Sequence, residues 1–235
     1  MFVIVNKPIL IASPASVAVK LFELAQTSIF WQSAFASILR VCEGYILGVV
    51  FGTVLAVLCT KSSLIDQVLS PILLLVRSTP VASFIILALV WIQKTDVAIF
   101  ISFLMVVPII WANVCKGIRN TDKKQLEMAK VYGFTPLKKV KTIYAHSILP
   151  FFVSACTTAL GLAWKAGISA EVLSMPTNSI GYNLYRSKIN IETTDLFAWT
   201  IVVILLSLMF EKIIVFILNR FQKTSLEKGG NDDKN

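Results

Sequence analysis

The chain reads as an all-helical, polytopic membrane protein on three observations. It is 56% hydrophobic against 15% charged over 235 residues, and its mean hydropathy is +0.77. Apolar stretches of roughly twenty residues recur, the length that carries a helix across a bilayer. The short alternating strands of a membrane barrel are absent from the sequence. Lipid offers no partner to a backbone N–H or C=O, so a span must satisfy its own backbone as a helix.

Residues 1–34 are mixed in character. Pro8 and Pro14 break any long helix, and residues 16–25 have the pattern of a short amphipathic helix lying at the interface. No charged start followed by an apolar core and a small-residue cleavage site marks a cleavable signal. The spans are expected at residues 35–59, 69–92, 97–114, 148–168 and 197–218. A short turn, Gln93-Lys94-Thr95-Asp96, separates the second and third. The organisation is thus an interfacial segment (1–34), a transmembrane domain (35–220) carrying a polar loop (117–147), and a polar, disordered tail (221–235).

The formal charge is +9, yet the basic residues form no single stripe suited to nucleic acid. Lys116, Arg119, Lys123, Lys124, Lys130, Lys138, Lys139 and Lys141 gather in the loop, and Arg220, Lys223, Lys228 and Lys234 follow the last span. The positive-inside rule places both segments in the cytoplasm of a cell membrane. Residues 171–195 are charge-balanced and suit the outer face, and the amino terminus then lies outside as well.

Cys42, Cys59, Cys115 and Cys156 lie in or beside apolar runs without a CxxC spacing, and read as small apolar residues of helices. The lone histidine, His146, has no histidine partner, so no metal or cofactor is expected. No nucleophile–histidine–acid set and no GxxxxGK[ST] phosphate loop is present. No catalytic residue is assigned, and any ATP chemistry belongs to another polypeptide.

The polar loop is patterned as two helices. Thr121 is placed as an N-cap, with Asp122 in the first turn where the helix dipole favours an anion. Leu126, Ala129 and Tyr132 recur at helical spacing, and Lys123 and Glu127 stand four apart. Gly133 is positioned to end the helix in a left-handed turn. Thr135 and Pro136 restart it as N-cap and first helical residue, and Leu137, Val140, Ile143 and Tyr144 supply a second apolar stripe. Pattern alone leaves two readings open: a basic helix pair resting on anionic headgroups, or an element that docks into a partner's groove.

The offsets Glu127-x-Ala129-x3-Gly133, with Ile143 ten residues after the glycine and Pro150 closing the segment, resemble the signature loop of binding-protein-dependent ABC-transporter permeases. The likeness extends to Gly44, Gly48 and Gly52, to Pro71, Arg77 and Pro80, to Trp91, to Pro108, Asn113 and Gly117, and to Leu160–Trp164 leading into Ala170 and Glu171. It is strongest to the nitrate/sulfonate/taurine-type branch and covers roughly residues 8–220. The resemblance implies the type I importer fold and a loop, carried by Glu127, Ala129, Gly133, Thr135, Pro136, Leu137 and Ile143, that couples to cytoplasmic ABC ATPase subunits. It also implies an extracytoplasmic solute-binding protein, a permease homodimer, and a small anionic solute. Two departures stand out. Ala145-His146 replaces the Leu-Pro usual in that family, and five spans are read where the family usually carries six, so its first span is expected to be missing here.

Small residues four apart, Gly44/Gly48/Gly52 and Ala159/Ala163/Gly167, permit close helix approach, within the chain or between two copies. A charge within a span costs about 2.5–3.5 kcal/mol at the helix centre and asks for a reason. Arg40 and Glu43 are three apart and suit a mutual pair. Arg77, Lys165 and Glu171 are candidates to line the solute pathway; snorkelling, or a Lys165–Glu171 pair, is the structural reading. The function expected is the permease subunit of an ATP-driven importer. The alternative is a secondary transporter or channel needing no ATPase, which would leave the loop unexplained.

Overall fold

The computed structural model describes residues 12–232; the break expected at Pro8 lies outside them. The described residues form helices α1 (Pro14–Ala25), α2 (Ser28–Lys61), α3 (Ser63–Ser78), α4 (Val81–Ala88), α5 (Val97–Arg119), α6 (Lys123–Val131), α7 (Pro136–Lys139), α8 (Ala145–Ser174), α9 (Ile180–Ile189) and α10 (Thr193–Asp232). A π-helical turn, Val140–Tyr144, joins α7 to α8. No strand occurs among them, as lipid demands.

Four helical segments are long and apolar enough to cross a membrane: Ser28–Lys61, Val97–Arg119, Pro136–Ser174 and Thr193–Phe216. The expected span 69–92 is a broken one. Its two pieces, α3 and α4, meet at a bend of 101°. Pro80 sits at that break as the residue before α4, since its ring denies the backbone a donor. The Ser78 hydroxyl donates to the Leu75 carbonyl at 3.0 Å and occupies one of the acceptors α3 leaves at its end. α10 runs to Asp232, past the point where the sequence suggests an irregular tail.

The chain divides into two compact units. The first holds the described residues up to Ile46 together with Thr79–Phe103 and Leu162–Phe210. Its core is built of Val41, Ala98, Ile101, Ala163, Trp164, Ile180 and Ala198, all nearly or fully buried. Helix approach is close enough that a Cβ on Gly44 would overlap the Ile99 carbonyl oxygen, and one on Gly167 would stand 2.6 Å from Val41 Cγ2 and 2.7 Å from Ser102 Oγ. Ser102 donates to the Ala163 carbonyl at 3.2 Å, and the Trp164 indole N–H donates to the Val203 carbonyl at 3.2 Å. Ser102 and Trp164 thus find partners where water is excluded.

The second unit holds Leu47–Ser78, Leu104–Gly161 and the chain from Glu211. Ala56, Val106, Ile110, Val114, Cys115, Ala155, Cys156 and Ala159 form its core. Gly52 faces the Val107 carbonyl, which a Cβ would meet at 2.8 Å. The glycine and alanine stripes read from the sequence are therefore consumed by packing inside the chain. Large apolar side chains instead stand exposed on the outer faces of α2, among them Ile46, Leu47, Val50 and Phe51, as a lipid-facing surface requires.

Candidate functional site

The polar loop folds as two helices around a glycine corner. Asp122, not Thr121, caps α6: its side chain accepts from the Lys124 N–H at 2.9 Å. Thr121 is turned inward and donates to the Gly117 carbonyl at 3.4 Å. At the other end Gly133 takes φ +65°. Its N–H donates to the Lys130 carbonyl at 3.1 Å, and the Phe134 N–H reaches back to Ala129 at 2.9 Å. That pair of bonds is a Schellman turn, which closes the last carbonyls of α6. Thr135 then caps α7 by accepting from the Lys138 N–H at 3.4 Å, with Pro136 as its first residue. The Lys138 ammonium lies 4.3 Å from the centre of the Phe134 ring and braces the corner.

The second helix of the loop differs from the one the sequence suggests. It ends after one turn and continues through the π-helical turn into α8 without a break. Ile143 is buried while Val140, three positions before it in the π turn, is exposed, and so is Leu137. On α6, Ala129 is fully buried and Glu127 is exposed. Met128, Val131, Tyr132, Leu137 and Val140 together present five large apolar side chains to the outside, Val131 and Leu137 at 85% and 84% exposure. Sequence reasoning found Tyr132, Leu137 and Val140 but missed Met128 and Val131. Their signal was a second stripe at i, i+3 and i+4 beside the Ala129 stripe.

The charged residues of the spans sort differently from their sequence spacing. Arg40 does not pair with Glu43, which is exposed; its guanidinium reaches Glu171 at 3.1 Å. Glu171 does not pair with Lys165, which is exposed on the same helix. The Glu171 carboxylate is fully buried and also accepts from the Ser37 hydroxyl at 2.7 Å and the Gly181 N–H at 3.2 Å. Arg77, near the end of α3, is exposed. In the second unit Arg119 meets Asp66 at 2.7 Å. Among the described residues no group of histidine, cysteine and acidic side chains could hold a metal ion, and the four cysteines are free.

A multi-pass helical bundle with a broken span and a capped helix pair set between two spans defines the membrane component of a solute transporter. The chain belongs to the family of binding-protein-dependent transport system inner membrane components, which matches residues 48–227. It is 28% identical over 210 residues to a probable ABC transporter permease protein of Haemophilus influenzae, covering 89% of this chain and 84% of that one. It is 31% identical over 158 residues to the bicarbonate transport permease CmpB of Synechocystis, covering 67% and 56%. Identity to the nitrate import permease NrtB of Leptolyngbya laminosa is 26%, over 82% of this chain and 68% of that protein. In fold it is similar to the inward-facing MetNI methionine ABC transporter, with a TM-score of 0.68 at 17% identity, covering 84% of this chain and 96% of the other. It is the inner-membrane permease subunit of an ABC importer, a class that works with an ATPase carried on a separate subunit and with a solute-binding protein.

Proposed function

We propose that the loop 117–147 is the element through which ATP binding and hydrolysis move this permease, with α6, the Gly133 corner and α7 docking into a groove of a cytoplasmic ATPase. The observation that carries this reading is the exposure of Met128, Val131, Tyr132, Leu137 and Val140 on a helix pair capped at Asp122 and Thr135. Large apolar side chains held outward on a rigid support fit helix-in-groove docking, and an exposed patch of this kind marks an interaction surface. Glu127 and the surrounding lysines then lie at the polar rim. Catalysis of ATP hydrolysis resides wholly on the partner, and two copies of this chain form the pathway.

The solute is a small anion. Arg77 and Lys165 are exposed cations on apolar helices, and relatives are named for bicarbonate and nitrate transport. Arg77 and Lys165 face the pathway, whereas Glu171, buried with both oxygens engaged, holds the frame.

Co-purification with the cognate ATPase tests the docking. Glu127→Lys and Gly133→Pro should abolish recovery of the ATPase while the permease remains in the membrane. Stable complexes in both variants would overturn the assignment. Uptake of labelled nitrate, bicarbonate and an alkanesulfonate into proteoliposomes, compared with Lys165→Met, tests the solute class; transport unchanged by that substitution removes Lys165 from the pathway.

A further inference from the structure

The short helix α9 enters and leaves through backbone that L side chains rarely adopt. Met175, Asn178 and Ile191 take φ of 51°, 56° and 59°, and for the β-branched Ile191 this conformation is a marked outlier. Such strain persists only where the surroundings over-determine it. At the entrance to α9 a set of side chains from α2 and α8 is gathered.

The first amide groups of α9 have no partners within the helix. Ile180 donates its N–H to the Ser37 hydroxyl oxygen at 2.9 Å, and Gly181 donates to Glu171 Oε2 at 3.2 Å. Tyr182 donates to Ser179 Oγ, its own helix cap, at 3.0 Å. Ser37 in turn donates to Glu171 Oε2 at 2.7 Å, and Arg40 Nη1 donates to Oε1 at 3.1 Å. One turn further along, Asn183 donates its side-chain amide to Ser33 Oγ at 2.9 Å. Backbone contact closes the arrangement: a Cβ on Gly181 would overlap Glu171 Cβ and stand 2.5 Å from the Val172 nitrogen. The carboxylate of α8 therefore occupies the positive end of α9, and the cation of α2 balances it.

We infer that Glu171 is a positioning residue that locks α9 onto the first half of α2 and the last turns of α8, with Ser37 and Arg40 as its partners, so that these three segments of the first unit travel as one body through the transport cycle. The lock is built from residues 131 and 134 positions apart, and it spends both carboxylate oxygens within the protein. The start of α9 is thus closed to solute, although a free helix N-terminus would attract an anion.

Hydrogen exchange read by mass spectrometry over residues 176–189 tests the lock on the permease–ATPase complex in nanodiscs, without nucleotide and trapped with ATP and vanadate. In the native protein these amides should exchange equally slowly in both states. Glu171→Ala should accelerate Ile180, Gly181 and Tyr182 by about tenfold or more and leave residues 123–131 unchanged. Because the double substitution Arg40→Gln/Glu171→Gln strands no charge, it should restore protection to within about threefold of native. Ser37→Ala removes one acceptor without stranding a charge, and covers the case in which Glu171→Ala fails to assemble. Unchanged exchange in both single variants, no rescue by the double variant, or faster exchange of native α9 in the trapped state would each overturn the inference. The comparison of variants also runs on the permease alone, so its outcome is independent of which loop meets the ATPase.

Discussion

The Arg119 guanidinium meets the Asp66 carboxylate at 2.7 Å, joining the last turn of α5 to the first turn of α3. Asp66 also accepts from the Ser70 hydroxyl at 2.9 Å. Arg119 is 58% exposed and Asp66 27%, so solvent screens the pair and its contribution is about 0.2–1 kcal/mol. Asp66→Asn should lower the thermal midpoint of the detergent-solubilised permease by a few degrees at low salt, and the difference should vanish at high salt. A large, salt-independent loss would show that the pair is shielded from solvent.

Arg40 and Glu171 predict the opposite behaviour. The Glu171 side chain is fully buried and Arg40 is 15% exposed, so removing either partner leaves a charge without a counterpart, at a cost of about 3–5 kcal/mol. Glu171→Ala should therefore lower the thermal midpoint several times more than Asp66→Asn, with no dependence on salt. Similar losses in the two variants would refute the ranking.

Two glycines six positions apart on α8 predict contrasting substitutions. Nothing lies within 4 Å of a Cβ added at Gly161, whereas one at Gly167 would press on Val41 Cγ2 at 2.6 Å and Ser102 Oγ at 2.7 Å. Gly161→Ala should be neutral or stabilising by about 0.5–1 kcal/mol through helix propensity. Gly167→Ala should destabilise by about 1–3 kcal/mol because the displaced groups belong to a packed core. The thermal midpoints of both variants check this. Loss of stability in Gly161→Ala would mean that a second copy of the chain packs on that face.

What could be read from the sequence was local. Hydropathy located the four long apolar helices and the broken pair among the described residues, and the glycine and Thr135-Pro136 chemistry located the corner of the loop to the residue. The cap at Asp122 was missed by one position because Thr121 and Asp122 are both good caps, and only packing turned Thr121 inward. Tertiary pairing was invisible for a physical reason. Spacing offers Arg40 the nearby Glu43 and offers Glu171 the nearby Lys165, but the partner that excludes water is 131 residues away. The proline at position 80 was visible; the 101° angle of the bend it permits was not. The π turn leaves no mark in apolar periodicity except the mismatch it creates between Val140 and Ile143.

A related contrast yields the sharpest prediction for the loop. Leu137 is 84% exposed and Ile143 is 5% exposed, and six positions along a regular helix already set them about 120° apart. A charge on Leu137 meets only solvent in the free permease, so Leu137→Asp should leave its thermal midpoint within about 0.5 kcal/mol of native stability. In a docked complex the same carboxylate would be buried without a partner, and affinity for the ATPase should fall by about 2 kcal/mol or more, some thirtyfold. Ile143→Asp buries that carboxylate in the permease itself and should reduce folded protein in the membrane before any partner is added. Thermal unfolding and ATPase pull-down on the same two preparations separate these outcomes. If Leu137→Asp destabilises the free permease as much as Ile143→Asp does, the two residues share one buried face. If Leu137→Asp binds the ATPase like the native protein, α7 lies outside the docked surface and the contact falls to α6 alone.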